Sequence, residues 1–418
     1  MKKSWPNAAT FARRKRTSTA ARHMYLTQRQ IRYAPMDLTE TADEQAFRAE
    51  ARAWLEANVP SAPLPSFDTA EGFELHRQWE AKLFEGRWSA VSWPVEYGGR
   101  AADYVKWLIF EEEYWRSGAP GRVSQNGIFL LGPTIIEVGT PEQKARFLPA
   151  MAKSDEIWAQ AWSEPDAGSD MASIRSKAAL SDDGSEWIIN GQKIWASRAA
   201  WADWCFGIFR TDPESSRHKG LTFILMPLDT PGITVRPIAQ LDGDTGFAEI
   251  FFDDVHVPIE NTLGGVGNGW SVAMATAGFE RGVSLRSPAR FNVAVDRLIK
   301  LWIKIGDPDD DTMRDAVTDL WMQAEGYRLH TYMTVTKLLE GGHIGSESSL
   351  NKIFWSEMDV RAHELALQLL GPDAERIDGP HERWVDGFLF SLSGPLYAGT
   401  NEIQRNIIAD RVLNLPRG

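Results

Sequence analysis

Apolar positions recur at helical spacing from Leu38 to about Ser154 and change to short β-rich runs between Ile157 and about Pro258. Helical spacing returns from Trp270 onward. In the first section Thr39-Glu40-Thr41-Ala42-Asp43-Glu44 supplies capping residues ahead of Phe47, Ala51, Trp54 and Leu55, which share one helix face. Further helices are predicted over residues 73–85, 106–117 and 126–138, with loops at Pro60, Pro63 and Pro65 and at 94–99. Thr140 followed by Pro141 reads as an N-cap with Pro at the first helical position. The middle runs lie at 187–189, 204–209, 221–228, 233–237 and 247–257. Asp182-Asp183-Gly184 reads as a hairpin turn and Thr230-Pro231-Gly232 as another connection, which together suggest one antiparallel β domain. In the last section Phe291, Val295, Leu298 and Trp302 share a face, as do Met313, Val317, Leu320, Ala324 and Tyr327. Residues 306–311 form the loop between these two helices, and 350–370 and 397–413 are further helices.

This order is an α+β arrangement: a helical domain over 36–156, a β domain over 157–265 and a helical section over 266–418. Periodicity alone gives that order and not how the last section packs. The joint Gly264-Gly265-Val266-Gly267-Asn268-Gly269 lacks GxGxxG spacing after a strand, so a dinucleotide-binding Rossmann unit is a poor reading.

Composition narrows the picture. A chain of 418 residues can bury a substantial core over two or three domains, and its content is ordinary for a globular protein apart from 18 Trp. The lone Cys205 excludes an intramolecular disulfide and fits a reducing compartment. The eight His are scattered without metal-ligand spacing, so no structural metal is expected, and no apolar run is long enough to span a membrane. Residues 1–35 hold nine Lys/Arg and no acid, so within a total of −12 the remainder carries −21. An acidic body argues against nucleic-acid binding. The basic leader is read as disordered. It is either an extension ahead of a start at Met36, which places the protein in the cytoplasm, or a transit peptide, which places it in the mitochondrial matrix.

The chemistry centres on WAQAWSEPDAGSD, residues 158–170. Pro165 biases Glu164 toward an extended conformation, and Gly168 allows positive φ and close approach of a ligand. Spacing alone makes this an ordinary strand followed by a turn. The order of residues, however, resembles the first motif of the acyl-CoA dehydrogenase family. INGQKIWAS (189–197) resembles that family's second flavin-contacting strand, and YAGTNEIQRNIIADRVL (397–413) its C-terminal motif.

The resemblance implies a helical domain, a small β domain and a C-terminal four-helix bundle, binding FAD and acting on an acyl-CoA thioester. Removing hydrogens from adjacent carbons needs a carboxylate for the α proton and a flavin for the β hydride. By resemblance, Ser163 lies near the flavin ring edge and Gly168 and Ser169 near its phosphate or the thioester. Trp195 and Ala196 pack at the ring, and Ser197 sits where the family commonly has Thr. Trp162 stands where the family has a smaller aliphatic residue. Gln368 and Gly371 resemble an element that touches the ADP half of the cofactor in a neighbouring subunit, with Pro372 in place of its second glycine. Thr400 and Glu402 match positions that approach the cofactor.

In many members a Glu follows the tyrosine of the last motif. Here Tyr397 is followed by Ala398, which offers only its N–H to the thioester oxygen. Isovaleryl-CoA and long-chain members carry the base just before an Arg on the first helix after the β domain, and Glu280-Arg281 falls there, next to Phe279. An ordinary exposed Glu–Arg pair is the competing reading. Residues 300–311 lack the family's Arg-x-x-Phe-Gly stretch, a departure that resembles the bacterial branch handling bulky, branched or steroid-derived thioesters. The resemblance implies an electron-transfer flavoprotein as electron acceptor and a homodimer, homotetramer or mixed tetramer with a related chain. Alternatives are a non-catalytic partner subunit, a flavin monooxygenase, and a DNA-associated alkylation-response relative.

Overall fold

The computed structural model describes residues 38–280, 287–376 and 382–416; the basic leader, Arg281 and the side chain of Glu280 lie outside the described residues. Five α-helices open the fold: α1 (Ala42–Asn58), α2 (Ala70–Glu85), α3 (Tyr104–Arg116), α4 (Gly132–Val138) and α5 (Pro141–Lys153). Thr41 and Glu44 form a capping box on α1, and Thr140 and Gln143 form another on α5. Gln143 also donates to the carbonyls of Glu260 and Thr262 at 2.8 and 2.9 Å, tying α5 to the end of the sheet. The helix expected over 126–138 begins as a π-helical turn, Asn126–Leu131. Gly132 N–H donates five residues back to Gly127, and Pro133 has no N–H to restore α-helical pairing until the turn is past.

Eight strands follow: β1 (Trp158–Ala161), β2 (Lys177–Leu180), β3 (Glu186–Ser197), β4 (Trp204–Arg210), β5 (Leu221–Pro227), β6 (Ile233–Ile238), β7 (Phe247–Pro258) and β8 (Thr262–Leu263). They form one sheet in the order β6-β7-β3-β2-β4-β5-β8, with β1 on β4. The pairing is antiparallel except at β4, which runs parallel to β1 and, at one register position, to β2. The β domain is thus antiparallel in most of its pairings, as expected, and the parallel neighbours at β4 are joined through intervening chain that crosses over by way of β3. β2 is absent from the sequence reading because Lys-Ala-Ala-Leu has weak strand preference; its antiparallel pairing with β3 makes it a strand.

The C-terminal part comprises α6 (Gly269–Glu280), α7 (Pro288–Ile305), α8 (Asp311–Leu339), α9 (Ser348–Leu370), α10 (Glu382–Ser391) and α11 (Asn401–Ile407). Phe291, Val295, Leu298, Val317, Leu320, Ala324 and Tyr327 interlock with Trp355, Met358 and Leu365 in the bundle core, as the helical faces predict. A larger core joins the first helices to one face of the sheet through Trp79, Trp88, Trp93, Trp107, Phe129, Trp158 and Trp162. Much of the unusual Trp content is therefore core. α6 packs between that core and residues 126–138, where Thr276 and Thr134 hydroxyls meet at 3.0 Å.

Candidate active site

The first motif is built on a buried ion pair. Lys193, fully buried on β3, donates from Nζ to Glu164 Oε1 at 2.9 Å and to the carbonyls of Trp162 and Ile208 at 3.1 and 2.8 Å. Glu164 also accepts from the N–H groups of Arg175 at 2.6 Å and Ser176 at 2.9 Å. Burial works against the Glu164 carboxylate, but the Lys193 ammonium and the two amides outweigh it and hold its pKa below the ordinary value. Burial pushes the Lys193 ammonium down, against the pull of Glu164. The bend after Trp162 is thus clamped to β3, and Ile194 N–H donates to Ser163 O at 2.9 Å. Residues 163 and 194 of the two motifs are thereby held side by side. The sequence pointed to both motifs but not to this pair.

Trp195 follows directly, at a register shift between Lys193 and Ala196, with φ of 60°. The bulge turns the indole out of the sheet: it is 56% exposed and meets Phe247 edge-on at 6.1 Å, while Ala196 is buried and Ser197 half-buried. Ser169 is exposed, Ser163 half-buried, and a Cβ built on Gly168 meets open space. An exposed indole on a strand tied by its backbone to Ser163, with Ser169 exposed and Gly168 open in the turn that follows, suits a flat ring system with attached phosphates, so these residues fit FAD. Trp162, by contrast, is buried and packs edge-on to Phe206 and Phe223, each at 6.2 Å, as part of the core.

The C-terminal motif forms a tight loop between α10 and α11. Tyr397 lies 5.9 Å from the Trp355 ring. Ala398 and Gly399 both have positive φ, 57° and 78°. Thr400 caps α11 by accepting from Ile403 N–H at 3.3 Å, and Glu402 sits exposed in its first turn. Gln368 is exposed near the end of α9, and Gly371 terminates that helix with φ of 54°. Among the described residues, none of Gln368, Gly371, Thr400 and Glu402 hydrogen-bonds to Ser163 or Trp195.

Beside the end of α6 lies an apolar cleft of about 270 Å³. Its walls include Trp93, Trp107, Phe129, Ile136 and Phe279, with Tyr104 near the start of α3. Trp93 packs against Gly132, where an added Cβ would come within 2.0 Å of the ring, and its indole N–H donates to Ile128 O at 3.2 Å. Phe279 precedes Glu280, the last residue of α6. Of these wall residues the sequence singled out only Phe279.

An α+β chain that joins a helical domain, a small sheet and a helical bundle has the architecture of a flavin-dependent dehydrogenase. Three family models match in order: "Acyl-CoA dehydrogenase, N-terminal domain" over residues 41–155, the middle domain over 159–255 and the C-terminal domain over 267–413. "Acyl-CoA dehydrogenase IpdE1" of Mycolicibacterium smegmatis is 40% identical over 389 residues, spanning 89% of this chain and 98% of that protein. The protein of the same description from Mycobacterium tuberculosis is 40% identical over 385 residues, spanning 90% and 98%. The structure described as "Tcur3481-Tcur3483 steroid ACAD" superposes with a TM-score of 0.80 at 25% identity, over 92% of this chain and 100% of that one. The ChsE4-ChsE5 complex from Mycobacterium tuberculosis gives 0.78 at 28% identity, again over 92% and 100%. This chain belongs to the acyl-CoA dehydrogenase family and is an FAD-dependent oxidoreductase. When bound, FAD supplies the hydride acceptor that no protein side chain can provide. Among the described residues no helix is long and apolar enough to cross a membrane, and no group of His, Cys, Asp or Glu could hold a metal ion.

Proposed function

We propose that this chain dehydrogenates a bulky, ring-bearing or branched acyl-CoA thioester to its trans-2-enoyl form, with electrons leaving to an electron-transfer flavoprotein. Glu280 takes the α proton, and the Ala398 N–H holds the thioester oxygen as negative charge develops on it. The observation that carries this reading is that Phe279 on α6 lines the aromatic cleft and the helix ends one residue later, at Glu280, whereas position 398 offers a methyl group. A carboxylate covered by an apolar acyl group is desolvated, which raises its proton affinity as a base requires. Flat aromatic walls suit a ring system better than a single extended chain, and the likeness to a structure described as a steroid enzyme supports that class. Trp195, Ala196, Ser197, Ser163, Gly168 and Ser169 hold the cofactor on this reading, Thr400 and Glu402 approach it, and Gln368 and Gly371 reach the ADP half of the cofactor in a neighbouring subunit. Ser169, Phe279, Arg281 and Tyr397 contact the substrate. The bacterial relatives and the single buried Cys205 support a cytoplasmic site.

A mixed assembly is the second reading. Two of the similar structures are described as pairs of different chains, and Ala398 is the kind of loss a silent partner carries. Anaerobic mixing of the yellow protein with a panel of acyl-CoA thioesters tests both readings. Bleaching, fastest with branched or ring-bearing acyl groups, is expected. Straight-chain preference contradicts the substrate class, and a colourless chain that gains flavin only with a sibling favours the mixed assembly.

A further inference from the structure

The loop that presents Ala398 is not held by its own sequence alone. It is anchored from α9, by a lysine to which neither the motifs nor the reaction assigns a role. Lys352 is 3% exposed, and its Nζ donates to Pro395 O at 2.9 Å and to Asn401 Oδ1 at 2.8 Å. These two acceptors lie at either end of the segment 395–401, and Asn401 N–H also donates to Pro395 O at 2.9 Å. One buried ammonium therefore draws both ends of the loop together. Asn401 is fixed further by Ser356 Oγ, which donates to its Oδ1 at 3.2 Å, and by its own Nδ2, which donates to Glu357 at 3.2 Å. From α11, Gln404 Nε2, on a side chain 1% exposed, donates to the carbonyls of Ala398 and Gly399, each at 3.2 Å.

The consequence is conformational. With φ of 57° Ala398 occupies the left-handed region, which costs an L-residue energy and persists only where its surroundings impose it. With their carbonyls taken by Gln404, the N–H groups of Ala398, Gly399 and Thr400 donate to no protein acceptor among the described residues. Unpaired amide donors on a clamped turn are what an oxyanion needs, because they require no reorganisation when charge appears.

We propose that Lys352 is a positioning residue for the reaction: by closing the 395–401 loop it fixes the Ala398 N–H where the thioester oxygen sits. The proposal rests on the dehydrogenase reading and on the amide role of residue 398. It needs no contact between Lys352 and the substrate.

The test compares two unreactive ligands on flavin-loaded protein, each titrated through its perturbation of the flavin spectrum. A 2-azaacyl-CoA keeps the thioester oxygen but has nitrogen in place of the α carbon, and an S-alkyl-CoA thioether lacks the oxygen. The parent is expected to bind the first more tightly than the second. Lys352→Met should lose that preference while binding the thioether as before, and its turnover should fall on the order of 100-fold with little change in KM, since a displaced donor acts on the transition state. Lys352→Arg, which keeps a buried donor, should recover part of both. If Lys352→Met does not fold, Gln404→Leu removes the clamp from the other side and should show the same pattern. A parent that does not distinguish the two ligands overturns the amide role of Ala398, and the proposal with it. A parent that does distinguish them, with a folded Lys352→Met or Gln404→Leu that does so equally well, overturns the assignment of Lys352 alone. Failure of any thioester to bleach the parent counts against the dehydrogenase reading instead.

Discussion

Replacing Glu111 by Gln should stabilise this protein above neutral pH and change little near pH 5. Glu111 lies buried on α3, where its carboxylate accepts from Trp115 Nε1 at 3.0 Å and from the Ser287 hydroxyl ahead of α7. Burial pushes its pKa up to about 7, against the pull of those two donors and of the nearby Arg122 guanidinium. The folded chain therefore holds this proton more tightly than the unfolded chain does. Below the ordinary value of 4.5 both states are protonated and the group costs nothing. Between there and about 7 the unfolded carboxyl ionises first, so stability falls as pH rises, and above 7 the full cost remains. That gap corresponds to roughly 3 kcal/mol at pH 8, an upper bound because the neutral amide also gives up attraction to Arg122. Gln keeps an acceptor for Trp115 and Ser287 and has no charge to desolvate. Urea unfolding followed by tryptophan fluorescence at pH 5, 6, 7 and 8 should show the variant's midpoint overtaking the parent's as pH increases. A difference that is flat with pH, or that grows toward acid, would refute the reasoning.

Two further substitutions probe the frame around the site. Lys193→Met leaves the Glu164 carboxylate buried and strips the donor from two carbonyls, which should cost about 3–5 kcal/mol; a lower urea midpoint and faster loss of flavin on desalting are expected, with Glu164→Gln added to it recovering part of the loss. Because Lys193 and two amides hold Glu164 below its ordinary pKa, their contribution is present above about pH 4.5 and disappears as pH falls through the folded value, so the gap between parent and Lys193→Met should narrow in acid. Gly132→Ala would drive a methyl group into the Trp93 ring, at an overpacking cost of about 1–3 kcal/mol, and should raise KM for the bulkiest acyl groups more than for small ones.

The order of helical, β and helical sections was legible because long amphipathic faces such as Phe291–Val295–Leu298 and capping residues such as Thr140 with Pro141 are local signals. The motif residues were legible by resemblance, and Trp195 shows why spacing alone would have failed: an isolated Trp is usually core, and only the bulge at positive φ turns this one outward. The helix expected over 397–413 proved to be a loop followed by the short α11 and a π-turn over Ile408–Val412, because Lys352 on α9 ties Pro395 to Asn401 and Gln404 of α11 takes the carbonyls of Ala398 and Gly399, which keeps these residues out of helical pairing. The parallel pairing of β1 and β4, the cleft walls and the Lys193–Glu164 pair all join residues far apart in the chain. No window of sequence carries such contacts.

The central claim is that a carboxyl at position 280 does the work that position 398 does not. Its most direct measurement is stopped-flow absorbance of the flavin in Glu280→Gln, mixed anaerobically with an acyl-CoA that bleaches the parent. The variant should bind the thioester, perturbing the flavin spectrum, yet stay yellow at least 100-fold longer, in keeping with the loss of a general base. Bleaching at the parent's rate would contradict the account and leave the α proton to another group.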